Sequence, residues 1–293
     1  MHIPVLKKEI IKYLDPKEGM VIVDCTVGLG GHSADILEKI KDKGQLIGID
    51  LDEDVLRLAS HRLSSISRGY RLFHGNYKDV DIILDGAGIE RIDGALIDLG
   101  ISSYQIDTQE RGFSLKLNGP LDMRMNKDLK IDAAKIVNHY SKDELCDLFR
   151  TYGEERFSSR IASRIVNERR KSNITNTHTL AKIITDAVPA KFRYGRIHPA
   201  TRVFMALRIA VNDEINNLTE GLKKIVPILK KGGRFCVISF HSIEDRIVKR
   251  FYQSLSKAGI LNILTKKPVI ADEAELELNP RARSAKLRVA EKL

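Results

Sequence analysis

A glycine-rich turn and a carboxylate downstream of it are the residues of this sequence best suited to hold a cofactor. Residues 28–33 read G-L-G-G-H-S directly after an apolar run, and Asp50 ends the next apolar run. Glycines let a backbone approach a ligand closely, and a carboxylate about 20 residues further on can bind ribose hydroxyls. The pattern predicts an adenosyl-type cofactor. A tight strand-to-helix connection without any ligand is the alternative.

Two residues near the turn bear on which cofactor it holds. Ser33 replaces the third glycine of the dinucleotide fingerprint G-x-G-x-x-G, and Asp24 lies just before the turn. A carboxylate suits a ligand with a cationic end better than a pyrophosphate, because like charges repel. These features favour S-adenosylmethionine over a nicotinamide dinucleotide. An NAD-dependent oxidoreductase is the alternative, and titration with each cofactor separates the two.

Asp98 is the candidate catalytic residue. It opens the loop D-L-G-I-S-S-Y-Q after a fourth apolar run at 93–99. Ligands of open α/β sheets lie outside the carboxyl ends of the strands, so Asp98 is expected in one crevice with Gly30 and Asp50. A carboxylate that accepts an N–H of an exocyclic amine would stabilise charge developing on that nitrogen during methylation. The alternative is that Asp98 only ends its strand and caps a turn.

Other chemistries find little support in the sequence. Cytosine C5 methylation needs a cysteine beside the base, but Cys25, Cys146 and Cys236 do not follow the fourth strand. There is no C-x-x-C pair and no H-E-x-x-H, so no metal site is predicted. His241, after the fifth predicted strand, either lines the crevice or has a structural role.

The elements that must position these residues alternate between strands and helices. The predicted strands are 20–25, 45–49, 70–74, 93–99, 233–239, 261–265 and 286–291, and helices are predicted at 32–41, 154–171, 203–229 and 243–257, with others between them. Such alternation predicts a doubly wound, mainly parallel seven-stranded sheet with right-handed crossovers. The last strand is expected to be antiparallel.

The alternation is interrupted between the fourth and fifth strands. We expect a discontinuous cofactor-binding domain at 1–107 and 206–293, with a mainly helical insertion at 108–205, where Ser141 and Glu144 have capping-box spacing. The insertion carries 19 Lys and Arg against 11 Asp and Glu, which is +8 of the total net charge of +10. That concentration indicates a surface for phosphates, and a solvated helical face is the alternative.

Several cations are candidate ligands for a nucleic acid. Arg193, Arg196, His198 and Arg202 alternate with Phe192 and Tyr194, which offers charge for phosphates and rings for stacking. Arg281 and Arg283 form a second basic stretch near the end of the sequence. No apolar run reaches the 18 residues that span a bilayer, and the first residues lack the apolar core of a signal peptide, so a cytoplasmic location is expected.

Blocks along the whole sequence resemble the MraW/RsmH family of bacterial methyltransferases. They include 30–33 (GGHS), 98–103 (DLGISS), 111–114 (RGFS), 119–125 (GPLDMRM), 152–157 (YGEERF), 198–202 (HPATR), 239–246 (SFHSIEDR) and 279–286 (NPRARSAK). The resemblance implies a class I methyltransferase fold. It also implies methyl transfer from S-adenosylmethionine to N4 of cytosine 1402 in 16S ribosomal RNA, in the decoding region of the small subunit.

The resemblance further implies a set of cofactor-binding residues: Gly30, Gly31, His32, Asp50, Tyr77, Asp98 and Gln105. Tyr77 stands where relatives often have Phe, and either ring can stack on adenine. A ribosome-assembly factor without catalysis is a further alternative, and it would tolerate the loss of Asp98. An oligomer is possible.

Overall fold

The computed structural model describes residues 4–195 and 197–293, which form two compact units. Unit 1 comprises Met1–Ser102 and Ile215–Leu293, and unit 2 comprises Ser103–Glu214. The insertion expected at 108–205 lies within unit 2, which extends beyond it on both sides. The assignment of separate roles to the two parts stays a prediction.

Unit 1 is built on a seven-stranded sheet with the strand order β3-β2-β1-β4-β5-β7-β6. The strands are β1 Val21–Asp24, β2 Gln45–Asp50, β3 Tyr70–His74, β4 Ile92–Asp98, β5 Leu229–Ser239, β6 Leu261–Ile263 and β7 Lys286–Lys292. Strands β1 to β5 pair in parallel, while β7 is antiparallel to both β5 and β6. The predicted sheet and its antiparallel last strand are confirmed.

Helices cover both faces of the sheet, which explains why its central strands are apolar throughout. The helices of unit 1 are α1 Lys7–Leu14, α2 Gly31–Ile40, α3 Glu53–Leu63, α4 Val80–Gly86, α11 Glu214–Ile228, α12 Ser242–Lys257 and α13 Glu273–Leu278. Two buried apolar clusters result: one includes Ile47, Ile97 and Leu222, and the other includes Ile22 and Leu37. The chain order reverses between β1 and β4, so the crevice beyond their carboxyl ends is the expected ligand site.

Unit 2 is helical, as the sequence predicts. Its helices are α5 Ser103–Asp107, α6 Ala133–His139, α7 Lys142–Gly153, α8 Ser158–Arg169, α9 Thr177–Ala187 and α10 Thr201–Asn212. Ser141 and Glu144 form the predicted capping box at the start of α7. None of the helices within 4–195 and 197–293 is long and apolar enough to cross a membrane.

Two predicted helices are wrong in their bounds, for the same physical reason. The helix expected at 154–171 begins only at Ser158, because Glu154 ends α7 in a left-handed conformation with φ 47°. The helix expected at 203–229 is divided by Asp213, whose φ is 51°. Aspartate adopts this conformation more readily than most residues, whereas glutamate has no such preference, and hydrophobic periodicity reveals neither break. Strand β5 begins at Leu229, before its predicted start at residue 233.

Candidate functional site

The glycine turn joins β1 to α2 in unit 1, at the carboxyl edge of the sheet. Gly28 and Gly30 have φ angles of 54° and 73°, in the left-handed region that glycine enters without a side-chain clash. The Gly30 N–H donates to the Val27 carbonyl at 2.8 Å, which closes the turn, and α2 begins at Gly31. The turn therefore places the N-terminus of α2 at the carboxyl edge of the sheet.

Asp50 is hydrogen-bonded to this turn. It ends β2, and its Oδ2 accepts the Gly28 N–H at 2.8 Å while its Oδ1 accepts the Asp52 N–H at 3.0 Å. Burial raises the pKa of Asp50 to about 6, against the lowering effect of these two hydrogen bonds. Each carboxylate oxygen keeps a further lone pair for a ribose hydroxyl.

A small polar network links the ends of β1 and β4. The buried Asp24 accepts the Ser33 hydroxyl at 2.7 Å and the Thr26 N–H at 3.2 Å. Thr26 Oγ1 in turn accepts the Asp98 N–H at 2.6 Å. Burial raises the pKa of Asp24 to about 6. Thr26 and Ser33 were not predicted to be site residues, although the D-x-T spacing of residues 24–26 is a signal for a side-chain turn.

Asp98 ends β4 and has one carboxylate oxygen enclosed in the protein. Its Oδ1 is buried, and no hydrogen-bond partner for it occurs in the described ranges, while Oδ2 lies 3.7 Å from His32 Nε2. Burial, together with repulsion from Asp24 and Glu244, raises the pKa of Asp98 well above its usual range. A buried carboxylate oxygen without a donor is costly, so this oxygen is suited to a bound cation or N–H group.

The other predicted cofactor residues of unit 1 lie near the same edge but differ in their surroundings. His32 is 6% exposed in the first turn of α2. Tyr77 follows β3, is 7% exposed, and packs on Gly221, where an added Cβ would lie 2.6 Å from the ring. A Cβ on Gly31 would lie 2.5 Å from Pro4 Cγ, so this glycine makes room for the N-terminal segment.

The remaining candidates in unit 1 have partly structural roles. His241 is the N-cap of α12: its Nδ1 accepts the Glu244 N–H at 3.4 Å. This supports the structural alternative for His241. Arg281 and Arg283 are exposed on the 3₁₀ turn Pro280–Ser284.

The candidates of unit 2 are distributed over three segments. Gln105 is 4% exposed in α5. Arg193 donates to the carbonyls of Val188 and Asp186 at 2.9 and 3.0 Å, so it holds the end of α9. His198 Nδ1 accepts the Ala200 N–H, and Arg202 donates to the Glu154 carbonyl. Arg196 lies outside the described residues.

The carboxylates at the carboxyl edge of the sheet in unit 1 fit the expected cofactor. A sulfonium cofactor brings a positive charge and a ribose diol. The carboxylates of Asp24, Asp50 and Asp98 match these groups, whereas they would repel a pyrophosphate.

Comparisons with known proteins agree with this chemistry. The family model described as the MraW methylase family matches residues 1–293. A protein of Halothermothrix orenii is 46% identical over 307 residues, which cover 100% of this chain and 98% of that protein. A protein of Persephonella marina is 46% identical over 292 residues (100% and 99%), and one of Clostridioides difficile is 42% identical over 307 residues (100% and 99%). All three are named ribosomal RNA small subunit methyltransferase H.

These matches confirm two predictions from the sequence, the methyltransferase class and S-adenosylmethionine as the cofactor. Because the family model spans every residue and several full-length relatives exceed 40% identity, the chain belongs to the MraW methylase family.

Proposed function

We propose that this chain transfers a methyl group from S-adenosylmethionine to N4 of cytosine 1402 in 16S ribosomal RNA, with the cytoplasmic small ribosomal subunit as the setting. The names of the full-length relatives support a substrate in small-subunit ribosomal RNA. We infer an amine as the methyl acceptor from Asp98 at the end of β4. Its Oδ1 is enclosed and has no hydrogen-bond partner among the described residues.

Different residues of unit 1 have different roles in the proposed reaction. S-adenosylmethionine supplies an activated methyl group on a sulfonium. The backbone of residues 28–31 and the Asp50 carboxylate hold the adenosine, and Tyr77 packs on the adenine. His32 lies beside Asp98 and helps to fix its carboxylate, 3.7 Å away.

Asp98 acts on the attacking amine. Its oxygen accepts one N4–H, which aligns the nitrogen lone pair and stabilises the positive charge that develops as the N–C bond forms and the C–S bond breaks. The N4 atom then loses one proton. Because the pKa of Asp98 is raised, its carboxylate is a better proton acceptor than an ordinary aspartate.

Contacts within unit 2 indicate which of its candidate residues are available to bind RNA. Arg156 lies over the rings of Phe192 and Phe157, at 3.9 and 4.7 Å from their centroids, so Phe192 is already stacked. Tyr194 is 95% exposed. We therefore assign base stacking to Tyr194, and phosphate contacts to Arg196, His198 and Arg202. Arg193 acts mainly by holding the loop. Arg281 and Arg283 supply further cations from unit 1, and Gln105 remains a proposed cofactor residue.

The test is mass spectrometry of 16S RNA nucleosides after incubation with the wild type, Asp98→Asn and a control, Glu38→Gln, which removes an exposed charge in α2. We expect N4-methylcytidine at position 1402 with the wild type and the control. Asp98→Asn should lose 10²-fold or more of the rate, about the contribution of one positioned acid–base group, while S-adenosylmethionine still binds in isothermal titration.

The outcomes separate the competing functions. A wild type that leaves the RNA unmethylated would contradict the proposed reaction. Full methylation by Asp98→Asn would contradict the role of Asp98. An assembly factor without catalysis would bind RNA equally well in all three proteins and methylate with none of them.

A further inference from the structure

A second concentration of positive charge lies in unit 1, outside the insertion. Residues 246–271 contain six Lys or Arg and no Asp or Glu. The chain outside 108–205 has a net charge of only +2, so this stretch is a local excess of cations. It forms most of α12, all of β6 and the segment that follows β6.

A cleft of about 330 Å³ opens among these elements and β7. Beside Tyr252, its polar lining comprises Lys249, Gln253 and Ser256 of α12, Asn262 of β6, Thr265 and Lys266 after β6, and Arg288 of β7. Two ammonium groups, a guanidinium, two amides and two aliphatic hydroxyls thus converge on one concave surface. All are donors that phosphate oxygens accept from.

Most of these side chains have no partner among the residues that the structure describes. Those of Lys249, Gln253, Ser256, Asn262 and Lys266 make no hydrogen bond or ion pair with any residue of 4–195 or 197–293. Arg288 pairs with Asp245 at 2.6 Å, and Lys286 lies 3.8 Å from the same carboxylate. The single carboxylate of Asp245 therefore faces two cations, and Lys249 and Lys266 of the cleft have no ion-pair partner among the described residues.

The cleft is suited to a phosphate backbone rather than to a base. Tyr252, the one ring in its lining, is 1% exposed and donates its hydroxyl to the Phe235 carbonyl, so it offers no stacking face. Contacts to phosphate position a nucleic acid without reading its sequence.

We propose that this cleft binds backbone phosphates of the ribosomal RNA substrate, as a second anchoring site on unit 1 that is separate from the catalytic residues. This inference rests on the proposed function, because it takes RNA as the substrate. The ligand chemistry is a phosphate diester.

The test compares the double variant Lys249→Gln/Lys266→Gln with a control of equal charge change, Lys39→Gln/Lys231→Gln. Both control lysines are exposed and lie outside the cleft. Affinity for a fragment of 16S RNA is measured by fluorescence anisotropy at several salt concentrations. Because each phosphate contact on single-stranded RNA contributes about 0.7 to the slope of log K against log salt, loss of two contacts should reduce that slope by about 1.4.

We expect the cleft variant to bind RNA several-fold more weakly at low salt and to show the smaller slope, while the control matches the wild type. Unchanged binding of S-adenosylmethionine by both variants establishes that they are folded. An equal loss in both double variants would attribute the effect to bulk charge and overturn the proposal.

Two further results keep the proposals distinct. If the cleft variant binds RNA like the wild type but no longer binds inorganic phosphate in a thermal-shift titration, the cleft serves a small phosphate compound and the RNA assignment is wrong. If the wild type binds the RNA but does not methylate it, and the cleft variant still shows the smaller slope, the proposed reaction is wrong and the cleft proposal stands. A wild type that does not bind the RNA would overturn both.

Discussion

Asp50 combines two tasks in one side chain. It fixes the glycine turn through the Gly28 N–H and is proposed to bind the ribose of the cofactor. An aspartate that only bound a ligand could stay in water, but one that holds a buried turn is partly desolvated, and its pKa rises to about 6. The ligand site is therefore sensitive to pH in the absence of the ligand.

We expect the unliganded protein to gain stability as pH falls from 7 to 5. Asp50 has a higher pKa folded, about 6, than unfolded, so the folded chain takes up a proton first and the free energy of unfolding rises by about 1 kcal/mol. This stability is lost again as pH rises through 6. Urea unfolding at pH 7 and pH 5 measures this increase in the free energy of unfolding. In Asp50→Asn the increase should be smaller by the contribution of Asp50. Identical pH dependence in the two proteins would refute it.

Gly31 is expected to tolerate no side chain. In Gly31→Ala the new Cβ meets Pro4 Cγ, so the N-terminal segment must move, at a cost of about 1–3 kcal/mol in the free energy of unfolding. Gly86→Ala in α4 is the control, since nothing lies within 4 Å of its Cβ, and it should be neutral or stabilising. Equal stabilities of the two variants in urea unfolding would contradict the steric argument.

Tyr194 is expected to contribute to RNA affinity through its ring alone. Tyr194→Ala should weaken binding of a 16S RNA fragment by about 1–3 kcal/mol, while Tyr194→Phe keeps most of the affinity, because stacking needs the ring and not the hydroxyl. Anisotropy titrations measure both. Equal losses in the two variants would exclude stacking.

At the scale of elements, the parts of the site fixed by local residue types were predictable. The glycine turn, Asp50 and the capping box of α7 each follow from a short pattern with one stable geometry. The helix ends at Glu154 and Asp213 were not predictable, because tertiary packing selects which polar residue adopts the left-handed conformation. The packing of Gly31 on Pro4 joins distant residues and has no sequence signal.

The capping box makes α7 testable as an element. The Ser141 hydroxyl accepts the Glu144 N–H at 3.2 Å, and Ser141→Ala should lower the free energy of unfolding by about 1 kcal/mol. Ser163→Ala, in the middle of α8, is the control, because its hydroxyl only donates to the Ser159 carbonyl of the preceding turn. A control as destabilised as Ser141→Ala in urea unfolding would count against capping.

For the whole molecule, the division into two compact units predicts that ligands act on them separately. S-adenosylmethionine at 100 times its dissociation constant stabilises the fold it binds by about 2.7 kcal/mol. Hydrogen exchange should therefore slow by about 100-fold for amides of β1, β2 and β4 that exchange through unfolding of unit 1, and much less for α8 and α9 of unit 2. Equal slowing in both units would show that they unfold together.

The order of the sheet has a consequence for how the chain is made. Strand β4 pairs with β5, and Gly94 finds its partner Arg234 only after all of unit 2. At about 5–20 residues per second, a ribosome needs on the order of ten seconds to synthesise that interval. During that time β4 is an open edge of apolar residues, the kind of surface that pairs with other chains. Synthesis of unit 2 therefore sets how long the nascent chain is exposed to misfolding and in need of a chaperone.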